Sequence, residues 1–269
     1  MDSESAAARI DVSKPHPARR YDYWLGGKDN FPADRESADM VAQAFPTIRL
    51  AALENRNFLR RAVGYLADAG VRQFLDIGAG LPTAGNVHEI AQGIAPESRI
   101  VYVDNDPIVL VHARALLNSS PEGATAYLDA DIRDPDRILG HPDLLRVLDL
   151  DQPVALMLVA IMHFLTDDDG PYELVRKLCD ALPSGSYLVM SHATSDHLTP
   201  DELAENNAAN KRSGVPFRLR TSEEFARFFT DLELVPPGIA SVTAWRPEEY
   251  RPHPRAEAVS MLSAVARIP

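Results

Sequence analysis

A single cysteine, Cys179, leaves no disulfide to form within the chain and no thiolate metal site to build. Such usage suits a reducing cytoplasm. Basic residues are also short: 27 Lys and Arg stand against 39 Asp and Glu, a formal net charge of −12. That balance argues against a nucleic-acid partner, which needs a basic face. Long apolar runs are missing. The longest, Val154–Leu165, is too short to cross a bilayer and reads as a buried strand entering a turn, so no membrane partner is expected. The first ten residues hold no apolar signal core. No internal repeat, no Gly-x-Ser-x-Gly elbow and no metal-like histidine spacing occurs.

What is present centres on Phe74–Thr83, FLDIGAGLPT. Phe74, Leu75 and Ile77 form a short apolar run of the kind found in a buried parallel strand. Gly78 and Gly80 break it, allow a sharp turn and let a ligand approach the main chain. A helix-compatible stretch, 85–95, follows. Strand, glycine turn and helix together make the first unit of a nucleotide-binding α/β sheet.

Further strands are expected at 99–103, 124–128, 153–159 and 186–191, with helices at 107–117 and 168–182 between them. This alternation predicts a parallel sheet with right-handed crossovers. Before it, residues 1–18 read as loosely attached, 19–35 as an aromatic-rich arm, and 33–44 and 48–66 as two helices. After it, 196–220 reads as an insertion over the carboxyl edge of the sheet. Its Lys211, Arg212, Arg218 and Arg220 form either a solvated face or a greeting for an acidic acceptor. Thr221 and Glu224 make a capping box for a helix over 221–231. Extended stretches at 232–245 and 259–268 are candidates for a terminal antiparallel pair.

Ligands of open α/β sheets bind at the carboxyl ends of strands. Asp104 falls there, about 24 residues beyond Gly80, where an acidic side chain takes ribose hydroxyls. Asp131, in DADIRDP, is placed to accept from an adenine amino group or to cap a turn. The third glycine of a dinucleotide fingerprint is replaced by Thr83. Asp76, just before the glycines, would repel a pyrophosphate and suit an ammonium and a sulfonium. The charge pattern therefore favours S-adenosylmethionine over NAD. His163, in AIMHF at the end of the fourth strand, is either a general base or a wall of the pocket. No Asp/Asn-Pro-Pro-Tyr/Phe follows that strand, which disfavours enzymes that methylate base amino groups.

The chain resembles actinobacterial S-adenosylmethionine-dependent methyltransferases long catalogued as a domain of unknown function. The resemblance is carried by RRYDYWLGGKDNFPADRE, FLDIGAGLPTAGNVHEIA, VYVDNDPIVLVHARALL, DIRDP, PVALMLVAIMHFL and GSYLVMSH. It implies a Rossmann-like class I methyltransferase fold: a seven-stranded, mostly parallel sheet with an antiparallel last strand and a helical N-terminal arm. It divides the chain into an arm or cap at 1–70 and a catalytic domain at 71–269. It implies cofactor contacts from Gly78, Ala79, Gly80, Thr83, Asp104, Asn105, Asp131, Ile132, Ala160, His163, Tyr23 and Asn30. It also raises a lid role for Tyr21, Tyr23, Lys28 and Asn30. The expected activity is methyl transfer to a small-molecule acceptor. A non-catalytic S-adenosylmethionine-binding module and an NAD-dependent oxidoreductase are the alternatives.

Overall fold

The computed structural model describes residues 10–116, 119–249 and 252–269. The expected loose leader lies outside the described residues up to position 9, as does Leu117 of the expected second crossover helix.

Five strands run parallel: β1 (Gln73–Ile77), β2 (Arg99–Asp104), β3 (Ala124–Asp129), β4 (Ala155–Val159) and β5 (Tyr187–Ala193). Two short strands, β6 (Glu233–Leu234) and β7 (Ala240–Ser241), precede β8 (Met261–Arg267), which is antiparallel to β5, β6 and β7. The sheet order is β3-β2-β1-β4-β5-β8-β6, with β7 also paired to β8. The expected terminal pair therefore forms with β8 between β5 and the short strands. β1 touches β2 on one side and β4 on the other, which makes its carboxyl end the point where the winding reverses and a crevice opens.

The strands read as near-continuous apolar runs because both faces are covered. Leu75, Ile77, Leu156 and Leu158 join one core cluster, while Phe74, Ala155 and Met157 join the other. Crossover helices cover the sheet: α4 (Val87–Ile94) after β1, α5 (Pro107–Leu116) after β2, α6 (Pro135–Leu139) and α7 (Pro142–Val147) after β3, and α8 (Pro171–Asp180) after β4. The helix expected at 168–182 starts later because Gly170 is left-handed at φ +62° and separates α8 from a 3-10 turn at Asp167–Asp169. Thr221 caps α10 (Ser222–Ala226) through the expected capping box with Glu224, and a 3-10 turn continues to Phe229.

Among the described residues three helices precede the sheet: α1 (Pro17–Trp24), α2 (Pro32–Ala44) and α3 (Ile48–Asp68). The first begins inside the stretch expected to be loose, because Pro17 suits a first helical turn and the His16 ring accepts from Ala18 N. Phe58, Ala62, Val63 and Leu66 of α3 are fully buried against the sheet, and Trp245 stands edge-on to Phe58 at 5.5 Å. Helix α9 (Pro200–Arg212) lies in the expected insertion and packs against α2. Among the described residues no helix is long and apolar enough to cross a membrane.

Candidate functional site

A cavity of about 320 Å³ lies over the carboxyl ends of β1, β2, β3 and β4. Asp76, Gly78, Ala79, Gly80, Asp104 and Asn105 line it on one side. Asp131, Ile132 and Ala160 complete its floor, so nine of these positions converge from separate strand ends. The glycine turn is fixed by backbone bonds: Gly78 N and Ala79 N both donate to Val103 O, at 2.8 and 3.2 Å. Gly78 has φ +79°, and a side chain there would put its Cβ 2.7 Å from Ile161. Gly80 has φ +69° and open space around it. The first glycine thus serves conformation and packing, the second conformation alone.

Three carboxylates face this space in different states. Asp104 is tied down by Gly80 N and Asp106 N, each at 2.9 Å, and burial raises its affinity for a proton. Asp131 accepts from Asn105 Nδ2 at 2.8 Å and from Arg133 N at 2.9 Å, while Arg133 Nε reaches Asp169 at 2.8 Å. Asp76 differs: among the described residues nothing donates a hydrogen bond to its carboxylate, though it is 5% exposed. Burial pushes its pKa up to about 7, Arg56 draws it down and Asp104 pushes it up further. A buried acid without a donor costs free energy unless a cation meets it.

The N-terminal segment forms the facing wall. Pro15, His16, Pro17, Ala18 and Tyr21 line the cavity. Buried Arg19 pins them in place, donating from Nε to Asp106 Oδ2 at 2.8 Å; His16 Nδ1 lies 3.1 Å from the same oxygen. A hydrogen-bonded chain crosses behind the site. Ala160 N donates to Ser191 Oγ at 3.0 Å, Ser191 Oγ to Asn55 Oδ1 at 2.6 Å, and Asn55 Nδ2 to the Tyr21 hydroxyl at 2.9 Å. Tyr21 in turn donates to Ala52 O at 2.9 Å. Ala160 holds φ +56°, a left-handed strain that such bonding can maintain beside a ligand site.

Five residues from the sequence reading lie away from the walls of this cavity: Thr83, Tyr23, Lys28, Asn30 and His163. Thr83 belongs to the entry of α4, its N–H donating to Asn86 Oδ1 at 3.2 Å. Tyr23 donates to Asp39 at 3.2 Å and stacks under Arg49. Asn30 donates to Asp22 Oδ2 at 2.8 Å and to Gly27 O at 3.1 Å. Asp22 also takes Asp29 N, and a Cβ at Gly27 would collide with its carboxylate, so the GGKDN loop is shaped around this acid. Lys28 points to solvent. His163 lines a second, smaller cavity next door. Its Nδ1 accepts weakly from Ala193 N at 3.5 Å, and its pKa is driven well down by burial and by His192, Arg20 and Arg220.

The residues that sequence reasoning missed are His16, Asn55 and Arg56, which line the main cavity. Arg56 gives no local signal, standing with Arg60 and Arg61 on α3; its Nη2 donates to Gly85 O at 2.9 Å, in the loop that follows the glycine turn. In the basic insertion Lys211 and Arg212 are exposed, as a solvated face requires, whereas Arg218 and Arg220 are engaged within the protein. Arg220 is wholly buried, donating to Met162 O, Leu165 O and Asp167, with His192 Nε2 at 2.9 Å. Arg218 pairs with Asp167 and Glu224. Arg220 is therefore sealed from any acceptor, while the partly exposed Arg218 is engaged by these two acids. Among the described residues no group of three or more His, Cys, Asp or Glu side chains is placed to hold a metal ion.

The profile of the S-adenosyl methyltransferase family matches residues 3–269. A crystal structure of a DUF574 family protein from Streptomyces avermitilis is 49% identical, covers 97% of this chain and 100% of its own, and superposes with a TM-score of 0.91. A Thermobifida fusca protein described as a candidate methyltransferase is 42% identical over 96% of each chain, with a TM-score of 0.87. At 12% identity, the plantazolicin methyltransferase BamL, solved with a substrate analogue and S-adenosylhomocysteine, covers 99% of this chain and 97% of its own at a TM-score of 0.52, which shows a shared fold. No curated protein matches the sequence. The chain belongs to the S-adenosyl methyltransferase family and is an S-adenosylmethionine-dependent enzyme.

Proposed function

We propose that this methyltransferase holds its cofactor in the crevice over β1–β4 and transfers the methyl group to a small-molecule acceptor. The donor set supports the cofactor's position. Three carboxylates meet there, two turn glycines leave the main chain open, and Asp76 lies buried without a donor. That combination fits a nucleoside carrying an ammonium and a sulfonium and disfavours a diphosphate. The Asp76 carboxylate carries most of the argument.

In this reading Asp104 takes the ribose hydroxyls, already aligned by Gly80 N and Asp106 N. Asp131 and the Ile132 backbone face the adenine edge. Asp76 faces the cationic end, and Arg56, beside it, can meet a carboxylate. S-adenosylmethionine supplies the electrophilic methyl. The chain itself mainly orients the partners and excludes water, which can supply about 7–11 kcal/mol of barrier lowering. Pro15–Ala18 and Tyr21 close the wall, so the N-terminal helices form a cap fixed by the Arg19–Asp106 pair. Residues 196–220 border the acceptor side, with Gly214–Pro216 on the cavity rim. His163 is a wall residue.

Calorimetric titration with S-adenosylmethionine, NAD and S-adenosylhomocysteine tests the reading. Asp104→Asn is expected to weaken S-adenosylmethionine about 10–100-fold, the worth of charge-assisted hydrogen bonds at about 1.5–3 kcal/mol. An unchanged dissociation constant would place the ribose elsewhere.

A further inference from the structure

Beside the main crevice, sharing Tyr21, Ala160 and Phe164 with it, lies a cavity of about 70 Å³. Its lining is mostly apolar: Trp24, Phe45, Ile48 and Phe217 contribute, with few polar groups. One of them is Arg20. This guanidinium is 1% exposed, yet no carboxylate lies within ion-pair distance of it among the described residues. Its neighbour Arg19 pairs with Asp106 at 2.8 Å, and Arg220, equally buried, reaches Asp167 at 3.2 Å. Arg20 has only neutral partners, Nη1 donating to Ser37 Oγ at 3.3 Å and Ser213 Oγ at 3.1 Å. Among the described residues its Nε–H, like that of Arg220, is buried without an acceptor. Asp34 acts on the Arg20 guanidinium electrostatically without forming an ion pair, so the charge is only partly compensated, and burying such a charge is costly. The depressed pKa of Arg20, down to about 10 through burial, is in line with that incompleteness.

We infer that the smaller cavity is the acceptor subsite and that it takes a compact apolar acid, a hydrocarbon body bearing one anionic oxygen that Arg20 recognises. This rests on the adjoining crevice being the cofactor site. The two buried guanidinium groups, Arg20 and Arg220, act on His163 with the same sign, so the field in this region disfavours an ammonium. The aromatic lining suits a flat body, and the volume limits it to the reacting end and about one ring. An anionic oxygen also needs no proton removed. Its lone pair forms the new O–C bond, the pair of the broken S–C bond leaves with sulfur, and sulfonium plus anion become two neutral products.

The test is equilibrium binding at pH 8 to the protein saturated with S-adenosylhomocysteine, using benzoate, 4-nitrophenolate and benzylamine. At least one acid is expected to bind 10-fold or more tightly than benzylamine. The two acids separate a carboxylate from a phenolate acceptor. Arg20→Gln should weaken that acid at least 10-fold while leaving S-adenosylhomocysteine affinity within about 2-fold. Should Arg20→Gln fail to fold, Leu198→Trp, which fills the cavity from a half-exposed position and keeps Arg20, should block the acid equally. Benzylamine binding as well as the acids, or acids that bind unchanged by both substitutions, or no acid binding to a protein that does bind S-adenosylhomocysteine, would overturn the inference. Failure to bind S-adenosylhomocysteine would instead remove the cofactor reading beneath it.

Discussion

Asp76 meets two opposing demands, one from the fold and one from the ligand. Its carboxyl is held at a pKa of about 7 against an ordinary 3.8, with burial the main cause. The native state therefore keeps a proton that the unfolded chain has lost between about pH 4 and pH 7. Stability falls as pH rises through that window and is level above it. Three units correspond to at most about 4 kcal/mol. Asp76→Asn should accordingly stabilise the ligand-free protein at pH 8, by up to that amount, and by much less at pH 4; urea melts at both pH values check it. The same substitution should weaken S-adenosylmethionine. For the wild type, affinity should tighten as pH rises through 7 and Asp76 ionises, and this slope should vanish in Asp76→Asn. A pH-independent wild-type affinity would show that Asp76 does not meet the cation.

Among elements, the β1–α4 turn separates two roles of glycine. Gly78→Ala forces a left-handed alanine and drives a methyl into Ile161, so strain and overpacking add. A loss of about 2–5 kcal/mol is expected. Gly80→Ala carries only the conformational term, about 1–2 kcal/mol, because nothing lies within 4 Å of its added carbon. Thermal melts of the two variants should rank in that order. The N-terminal helix supplies a second comparison. Arg19→Ala leaves Asp106, wholly buried in the β2–α5 turn, with only His16 and Ile108 N as remaining partners among the described residues, and should cost up to about 3–5 kcal/mol. It should also loosen the Pro15–Ala18 wall and raise the S-adenosylmethionine dissociation constant, a coupling that calorimetry reads directly.

At the scale of the whole molecule, two buried arginines hold segments far apart in sequence. Arg220 ties the stretch after α9 to carbonyls at the end of β4 and to His192 on β5. Burial of His192, with Arg220 nearby, lowers its pKa to about 3, so it stays neutral and accepts from the guanidinium. Arg220→Met should destabilise by about 3–5 kcal/mol by removing the donor to Leu165 O and one of the two donors to Met162 O. Its effect on acceptor charge preference should be smaller than that of Arg20→Gln, because Arg220 already has Asp167. Cofactor binding belongs to this scale too. At 100 times its dissociation constant, S-adenosylmethionine should add about 2.7 kcal/mol and raise the melting temperature by about 5–10 °C.

The amino-acid order by itself determined the alternation of strands and helices. Continuous apolar runs at β1, β4 and β5 cannot be stable unless both faces are covered, and the glycines after β1 permit only a sharp turn. It also placed Asp104 and Asp131 at strand ends, since the end of a strand is a local property. Pairing across distance was beyond it. That Asp76 lies without a donor, that Arg20 lacks the acid its neighbour Arg19 has, and that Asn30 serves Asp22 depend on which chain segments meet. Helix α1 was obscured because its aromatic and arginine content has no clean helical stripe; burial against α2 and α3 decides it. Tertiary structure alone also separated the two cavities, because each is closed by residues far apart in the chain, from Pro15 to Pro216 in the larger and from Arg20 to Met261 in the smaller. Periodicity reports the face of an element, whereas a site is made by what stands opposite that face.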